Sequence, residues 1–384
     1  MWAVAAGFLA CAGAAGAFIG PLQRPGVARV SYPCARNAWE GGARRPRRCW
    51  LADSTAVALE QVQPTREGQG VEADLLGRAD VERDSQGKIM LKGLCLDEME
   101  RLMDDLGIKR QKALVLAKWM YHRGRLARDV EEARGRAGGE RFCLGEKDLA
   151  VLGKVATADG AMELEDVRVA RDGTRKVLLR LTSGEGAGKA IEAVIIPMMQ
   201  GRRQVARYSL CVSSQVGCAM NCQFCNTGRM GLMANLQAAQ IVEQVVWARR
   251  YLESVGDPTP LTGVVFMGMG EPFDNFQRVM RALSIMTDPR EGLRLKGSRV
   301  TVSTVGLVPE IHRFCSDPTN PANLAVSLHA PTDHLRGQVV PLNQRYPLTQ
   351  LIPALEHNFP REAPTRHSHQ PGASSTGAPA AAAA

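Results

Sequence analysis

The run Cys218-Ala219-Met220-Asn221-Cys222-Gln223-Phe224-Cys225 spaces three cysteines as C-x3-C-x2-C. Three soft ligands within eight positions commit that segment to a loop and the flanking chain to holding it. A four-iron cubane is normally held by four thiolates, so a three-cysteine set leaves one iron with an open position where a small molecule can bind and react. A zinc site would want a fourth Cys or His at local spacing. His312 and His329 are remote in sequence but could fold back. Three buried structural cysteines are the blandest reading. Phe224 suits a shield over a cluster, and equally suits ordinary packing.

The chain has 384 residues, enough for two modest domains, and 45% of them are hydrophobic. Lys and Arg number 48 against 39 Asp and Glu, a net charge of +9. That excess suits a nucleic-acid partner without requiring one. The ten cysteines could suggest a secreted disulfide protein, but Cys211, Cys218, Cys222 and Cys225 cluster while the other six are scattered. This distribution points to metal or redox chemistry in a reducing compartment.

Residues 1–20 are apolar and uncharged, more like a signal-type segment than a membrane span. Residues 21–50 carry seven arginines and one acid, Glu40. Together, 1–50 resemble a bipartite presequence directing the chain to the plastid stroma; the alternative is an unstructured start on a cytoplasmic protein. Residues 51–90 read as linker. Over 91–160 a small helical domain is expected, with one helix through MERLMDDL N-capped by Asp97 and a second over KRQKALVLAKWMYHRG. Lys109, Arg110, Lys112, Lys118 and Arg123 flank the apolar face of the second. They read as an RNA contact or as a solvated face. Between 161 and 207, EDVRVAR and TRKVLLRLT flank Asp172-Gly173, a hairpin turn signal, and the strand AIEAVIIP follows.

From Tyr208 to 358, strands (SLCVSSQ, TGVVFMG, RVTVST, NLAVSLH) alternate with helices (QAAQIVEQVVWARRYLES, FQRVMRALSIM). The pattern predicts an α/β fold with a parallel barrel or open sheet, its functional groups at the C-terminal ends of the strands. The tail 359–384 is low-complexity. MGMGEP follows a strand directly; Gly268 and Gly270 permit close backbone approach to a ligand, and Glu271 could accept from an amino group. Ser303 ends one strand, and Ser327, Leu328 and His329 end the next. Each alone is weak; together they line one mouth.

The blocks LCVSSQVGCAMNCQFCNTG, VVFMGMGEPFDN, RVTVSTVGLVP and LAVSLHAP resemble the radical-SAM adenine C2-methyltransferase family, RlmN, and are similar to its C8-methylating relative, Cfr. The similarity spans roughly Leu91 to Glu356. It implies a partial (β/α)6 radical-SAM barrel behind a small N-terminal helical domain, a [4Fe-4S] cluster and S-adenosylmethionine (SAM). It implies methylation of C2 of adenine in large-subunit rRNA, and in some members tRNA, by a monomer that takes electrons from a ferredoxin- or flavodoxin-type donor. Adenine C2 is electron-poor and has no useful lone pair, so polar transfer from SAM does not serve there. In the family one SAM methylates a carrier cysteine near the C-terminus. A second is reductively cleaved to a radical that activates that methyl group, and another cysteine resolves the adduct with adenine.

Carried onto this chain, the resemblance makes Cys218, Cys222 and Cys225 cluster ligands. Gly270, Glu271, Ser303, Ser327, Leu328 and His329 become SAM contacts, Cys211 the resolving cysteine and Glu192 the proton acceptor. Two departures stand out. No cysteine follows Cys315, which matches nothing catalytic, and the final barrel strands with their asparagine contact to SAM have no counterpart. The expectation is a C-terminally truncated barrel with an exposed strand edge, in a polypeptide that does not complete methyl transfer. An RNA-binding remnant without catalysis is the alternative.

Overall fold

A computed structural model describes residues 75–78, 80–122, 126–134, 143–200, 204–290 and 292–360. The expected presequence, most of the expected linker, Arg123 and the C-terminal tail lie outside these residues. Among the described residues no helix is long and apolar enough to cross a membrane.

The first described layer is helical. Strand β1 (Ile89–Met90) leads through a 3-10 turn into α1 (Leu96–Asp105), followed by α2 (Lys112–Tyr121) and α3 (Glu146–Val155). Strand β2 (Ala156–Thr157) pairs in parallel with β1. In α1, Leu96, Met99, Leu102 and Met103 recur at helical spacing and are buried. The cap of α1 is Cys95 rather than Asp97: its backbone N–H donates to Glu98, which closes the first turn two residues earlier than expected. Packing also begins before residue 91. Leu75 and Val81 are buried, and the Glu82 carboxylate accepts the first N–H groups of a later helix, at Ala238 and Ala239. An anion at a helix N-terminus meets both the unpaired donors and the dipole.

The central layer is one seven-stranded sheet of order β11-β10-β9-β6-β5-β4-β3. Its strands are β3 (Met162–Val169), β4 (Arg175–Leu181), β5 (Ala190–Gln200), β6 (Gln204–Cys211), β9 (Leu261–Phe266), β10 (Val300–Thr304) and β11 (Asn323–Val326). Strands β6, β9, β10 and β11 run parallel, while β3, β4 and β5 continue the sheet antiparallel from β6. The hairpin forms as expected, with Gly173 at φ +84° in its turn. It is not a separate connector, because β5 carries on through Gln200 and pairs with β6 along its length.

A short second ribbon pairs β7 (Gln215–Cys218) with β8 (Gly231–Asn235) around α4 (Asn226–Arg229). The crossovers are α5 (Ala238–Ser254), α6 (Phe276–Thr287) and α7 (Val308–Ser316), with α8 (Asp333–Val339) and α9 (Leu348–Asn358) after β11. One sheet face is deeply buried: Ile191, Ala193, Ile195, Leu210, Val264, Phe266, Val300 and Val302 are each no more than 1% exposed. Successive side chains alternate between faces, so the register sends Glu192, Val194, Cys211, Val265, Ser303 and Ala325 to the other one. Among the described residues the sheet ends at β11, whose residues are exposed or half-buried.

Candidate active site

The residues after β6 leave the sheet under tight restraint. Ser213 is pinned from three sides: its N–H donates to Gln244 Oε1 at 2.8 Å, its hydroxyl to the Glu192 carbonyl at 2.6 Å, and that hydroxyl accepts from Met269 N at 2.9 Å. Ser214 N and Gln215 N both donate to the Met269 carbonyl. Gln215 Oε1 accepts from Glu271 N at 2.8 Å, and its amide donates to Asn235 and Asp274. Asn275 closes the set by donating to the carbonyls of Ser214 and Leu236. A buried polar network so densely bonded has one low-energy arrangement. Here it locks the glycine-rich turn after β9 to the strand that opens the cysteine loop.

The glycines are used as their spacing suggested, though toward the protein itself. Gly270 sits at φ +102°, and a Cβ there would stand 2.6 Å from Gln215 Cβ and 2.8 Å from its backbone nitrogen. At Gly268 a Cβ would meet the Val212 carbonyl at 2.7 Å. Close approach of two backbones is what both positions permit. Within the network, Ser214 Oγ is buried and has no hydrogen-bond partner among the described residues.

The cysteine loop is held at its base. Gly217 at φ +77° lets β7 cross β8, where a Cβ would lie 1.9 Å from the Gly231 carbonyl. Asn221 adopts φ +49°, a conformation Asn tolerates better than most residues. Cys218 and Cys222 are buried and Cys225 is half-buried. Burial, reinforced by nearby acids and the neighbouring thiols, pushes the Cys218 thiol up to about 11 and Cys222 up to about 12. Metal loading must therefore displace protons. Among the described residues no three His, Cys, Asp or Glu side chains gather around one point as a single ion requires. A cubane takes its cysteines on separate irons, so its ligands stand further apart, and a loop offering thiols alone suits it.

Around this loop the structure assembles the strand-end residues. The Phe224 and His329 rings lie 4.3 Å apart, although Phe224 stays 45% exposed. His329 holds φ +61°, uncommon for a residue with a side chain. Burial, helped by the charge of Arg336, lowers its pKa from the ordinary value. Ser303 Oγ and Ser327 Oγ are 3.3 Å apart across β10 and the exit of β11. Leu328 contributes its carbonyl, which accepts from Arg336 Nε at 3.1 Å.

Glu271 belongs to the same junction. Its carboxylate is buried and accepts from Phe273 N at 3.1 Å and Val305 N at 3.0 Å, tying the β9 turn to the end of β10. Burial raises its pKa to about 7, against the opposing pull of those donors. Glu192 and Cys211 share the open sheet face on adjacent strands. Lys176 Nζ lies 2.8 Å from Glu192 Oε1 on the half-exposed side of β4. Cys315 sits on α7 and packs against the core. On α2, Lys112 pairs with Asp148, and the neighbouring Arg110 pairs with Glu100; both act at least in part within the fold.

Residue reasoning missed Ser213, Ser214, Gln215, Asn275 and Arg336. The first three were signalled by a polar run directly after an apolar strand. Arg336, fully buried, carried no local signal.

No family model matches the chain. Curated relatives do. It is 42% identical over 266 residues to a dual-specificity RNA methyltransferase RlmN of Geobacter sulfurreducens, covering 69% of this chain and 65% of that protein. It is 39% identical over 269 residues to a probable dual-specificity RNA methyltransferase RlmN of Moorella thermoacetica, covering 70% of each. Among solved structures, a radical SAM methyltransferase from Sphaerobacter thermophilus matches with a TM-score of 0.60 and 38% identity, covering 70% of this chain and 72% of that one. The chain thus spans roughly two thirds of the length of these relatives.

Proposed function

This chain belongs to the RlmN family of dual-specificity RNA methyltransferases, and from that premise we propose that it binds a [4Fe-4S] cluster and SAM and serves methylation of adenine C2 in RNA. The observation that carries the proposal is the locked junction between the cysteine loop and the Met267–Pro272 turn, with Ser303, Ser327 and His329 beside it and Cys211 and Glu192 on the adjoining sheet face. When bound, the cluster would supply the electron for reductive SAM cleavage, chemistry that no protein side chain provides.

The protein's own residues hold and orient. Cys218, Cys222 and Cys225 would ligate three irons. The turn at Gly268–Gly270 and the hydroxyls of Ser303 and Ser327 would shape the SAM pocket, with Phe224 and His329 as its wall. Glu271 would rigidify the turn through the bonds it accepts from Phe273 N and Val305 N, and its remaining lone pairs would be open to the amino group of SAM. Glu192, steadied by Lys176, would take the proton lost from adenine, and Cys211 Sγ would attack the sulfur of the carrier thioether, forming a disulfide as the sulfur–carbon bond to the base breaks. Residues 1–50 would direct the chain to the plastid stroma, and a ferredoxin- or flavodoxin-type protein would supply the electron.

Two separate readouts test this. Protein reconstituted anaerobically with iron and sulfide is reduced in the presence of methyl-labelled SAM and RNA. Release of 5′-deoxyadenosine reports SAM cleavage, for which every residue named above is at hand. Label at adenine C2 reports full transfer, which by family resemblance also needs a carrier thiol. Rejection follows if the iron-loaded protein neither binds SAM nor releases 5′-deoxyadenosine. Label at C8, or rRNA and tRNA labelled unequally, would define product and substrate.

A further inference from the structure

We infer that Arg336 is the positioning cation of this site: one buried guanidinium joins the exits of β10 and β11, and places a fixed positive charge on the helix whose end binds the residue after Cys222. The inference rests on the proposed cluster and deepens that function. Arg336 is fully buried, yet no carboxylate lies within ion-pair distance among the described residues. Its donors go to neutral oxygens instead. Nε donates to the Leu328 carbonyl at 3.1 Å, one terminal nitrogen to Asn343 Oδ1 at 2.7 Å and to the Tyr346 carbonyl at 3.5 Å, and the other to the Val305 carbonyl.

Each contact reaches a part of the site. Val305 also donates to Glu271, and Leu328 stands between Ser327 and His329. The helix that bears Arg336 ends at Val339, whose carbonyl accepts from Gln223 N at 2.9 Å, one residue past Cys222. Arg336 thus ties the exits of β10 and β11 together, and the end of its helix ties both to the cysteine loop. The rigid guanidinium fork spreads five donors over three nitrogens in a fixed plane, where a lysine offers three from one rotatable point.

The charge has its own consequence. A thiolate-ligated cluster gains negative charge on reduction, and a nearby fixed cation stabilises the reduced form, raising the reduction potential. Arg336 lies one helical turn before Val339, which binds Gln223 N, so its charge is carried on the element packed against the cysteine loop. The neighbouring acids are Asp333, Glu271 and Asp274. Asp333 faces Arg336 without a direct ion pair, its carboxylate accepting from Leu348 N and Asn343 Nδ2.

Redox titration of the reconstituted cluster, followed by electron paramagnetic resonance, tests the charge; SAM-induced change in that spectrum tests the positioning. Arg336→Gln is expected to shift the potential negative. Arg336→Lys is expected to stay near the wild-type potential but to need about tenfold more SAM for the same spectral change. Asp333→Asn, at a partly exposed site, removes an opposing charge and is expected to shift the potential positive even should the glutamine variant fail to fold. Unchanged potentials in every folded charge variant would overturn the charge claim, and wild-type SAM response in Arg336→Lys would overturn the positioning claim. Failure of the wild-type protein to assemble any cluster would instead defeat the proposed function beneath both.

Discussion

Val305 N donates to Glu271 Oε2 at 3.0 Å, so the buried acid of the β9 turn holds the loop that leaves β10. Two neighbouring strand exits are thereby fixed to each other before any ligand arrives.

The burial of that acid carries a pH dependence. Burial holds the Glu271 pKa at about 7, above the ordinary value of 4.5, so the folded protein binds this proton more tightly than the unfolded chain. Its contribution to stability is fully present below about pH 4.5 and is lost as pH rises through about 7, on the order of 3 kcal/mol in total by linkage. Urea unfolding of the iron-free protein across this range should show the decline, and Glu271→Gln should flatten it. An equal slope in the variant would reassign the effect elsewhere.

Gly270→Ala should strain the same turn twice, through its φ of +102° and through the 2.6 Å approach to Gln215 Cβ. A loss of about 1–3 kcal/mol is expected, with SAM binding weakened at least tenfold. Thermal melting and equilibrium dialysis read the two effects separately.

Gly217→Ala acts nearer the cysteines. A Cβ 1.9 Å from the Gly231 carbonyl cannot be accommodated without opening the β7–β8 ribbon. Iron incorporation should fall several-fold while the core sheet, which does not include this ribbon, keeps its circular dichroism. Full iron loading would show that the ribbon does not set the geometry of the ligands.

Much of this was legible in the chain. RVTVST is a β-branched run and NLAVSLH a short apolar one, each with a small polar end, and they form β10 and β11 with Ser303 and Ser327 facing each other. The helix from Ala238 was equally plain, being a long amphipathic run. Long-range partnership was not legible. Nothing local tells that Glu82 caps a helix more than 150 residues away, that AIEAVIIP joins the parallel strands in one sheet, or that Glu271 spends its oxygens on Phe273 and Val305. Arg336 is the clearest case: an arginine in a short helix reads as surface until three loops close around it.

Cys211→Ala should separate the two halves of the chemistry. The side chain lies on the open sheet face across from Val194, outside the cysteine loop. Iron content and SAM cleavage should stay within about twofold of the parent, while any transfer of label to RNA should stop. Loss of the cluster in this variant would place Cys211 among the ligands instead.

The most direct measurement is 5′-deoxyadenosine release from SAM by the reduced, reconstituted protein, compared with Cys222→Ala. The account predicts release by the parent, with iron and sulfide near four each per chain, and none by the variant. Equal release by both, or none by a fully loaded parent, would contradict it.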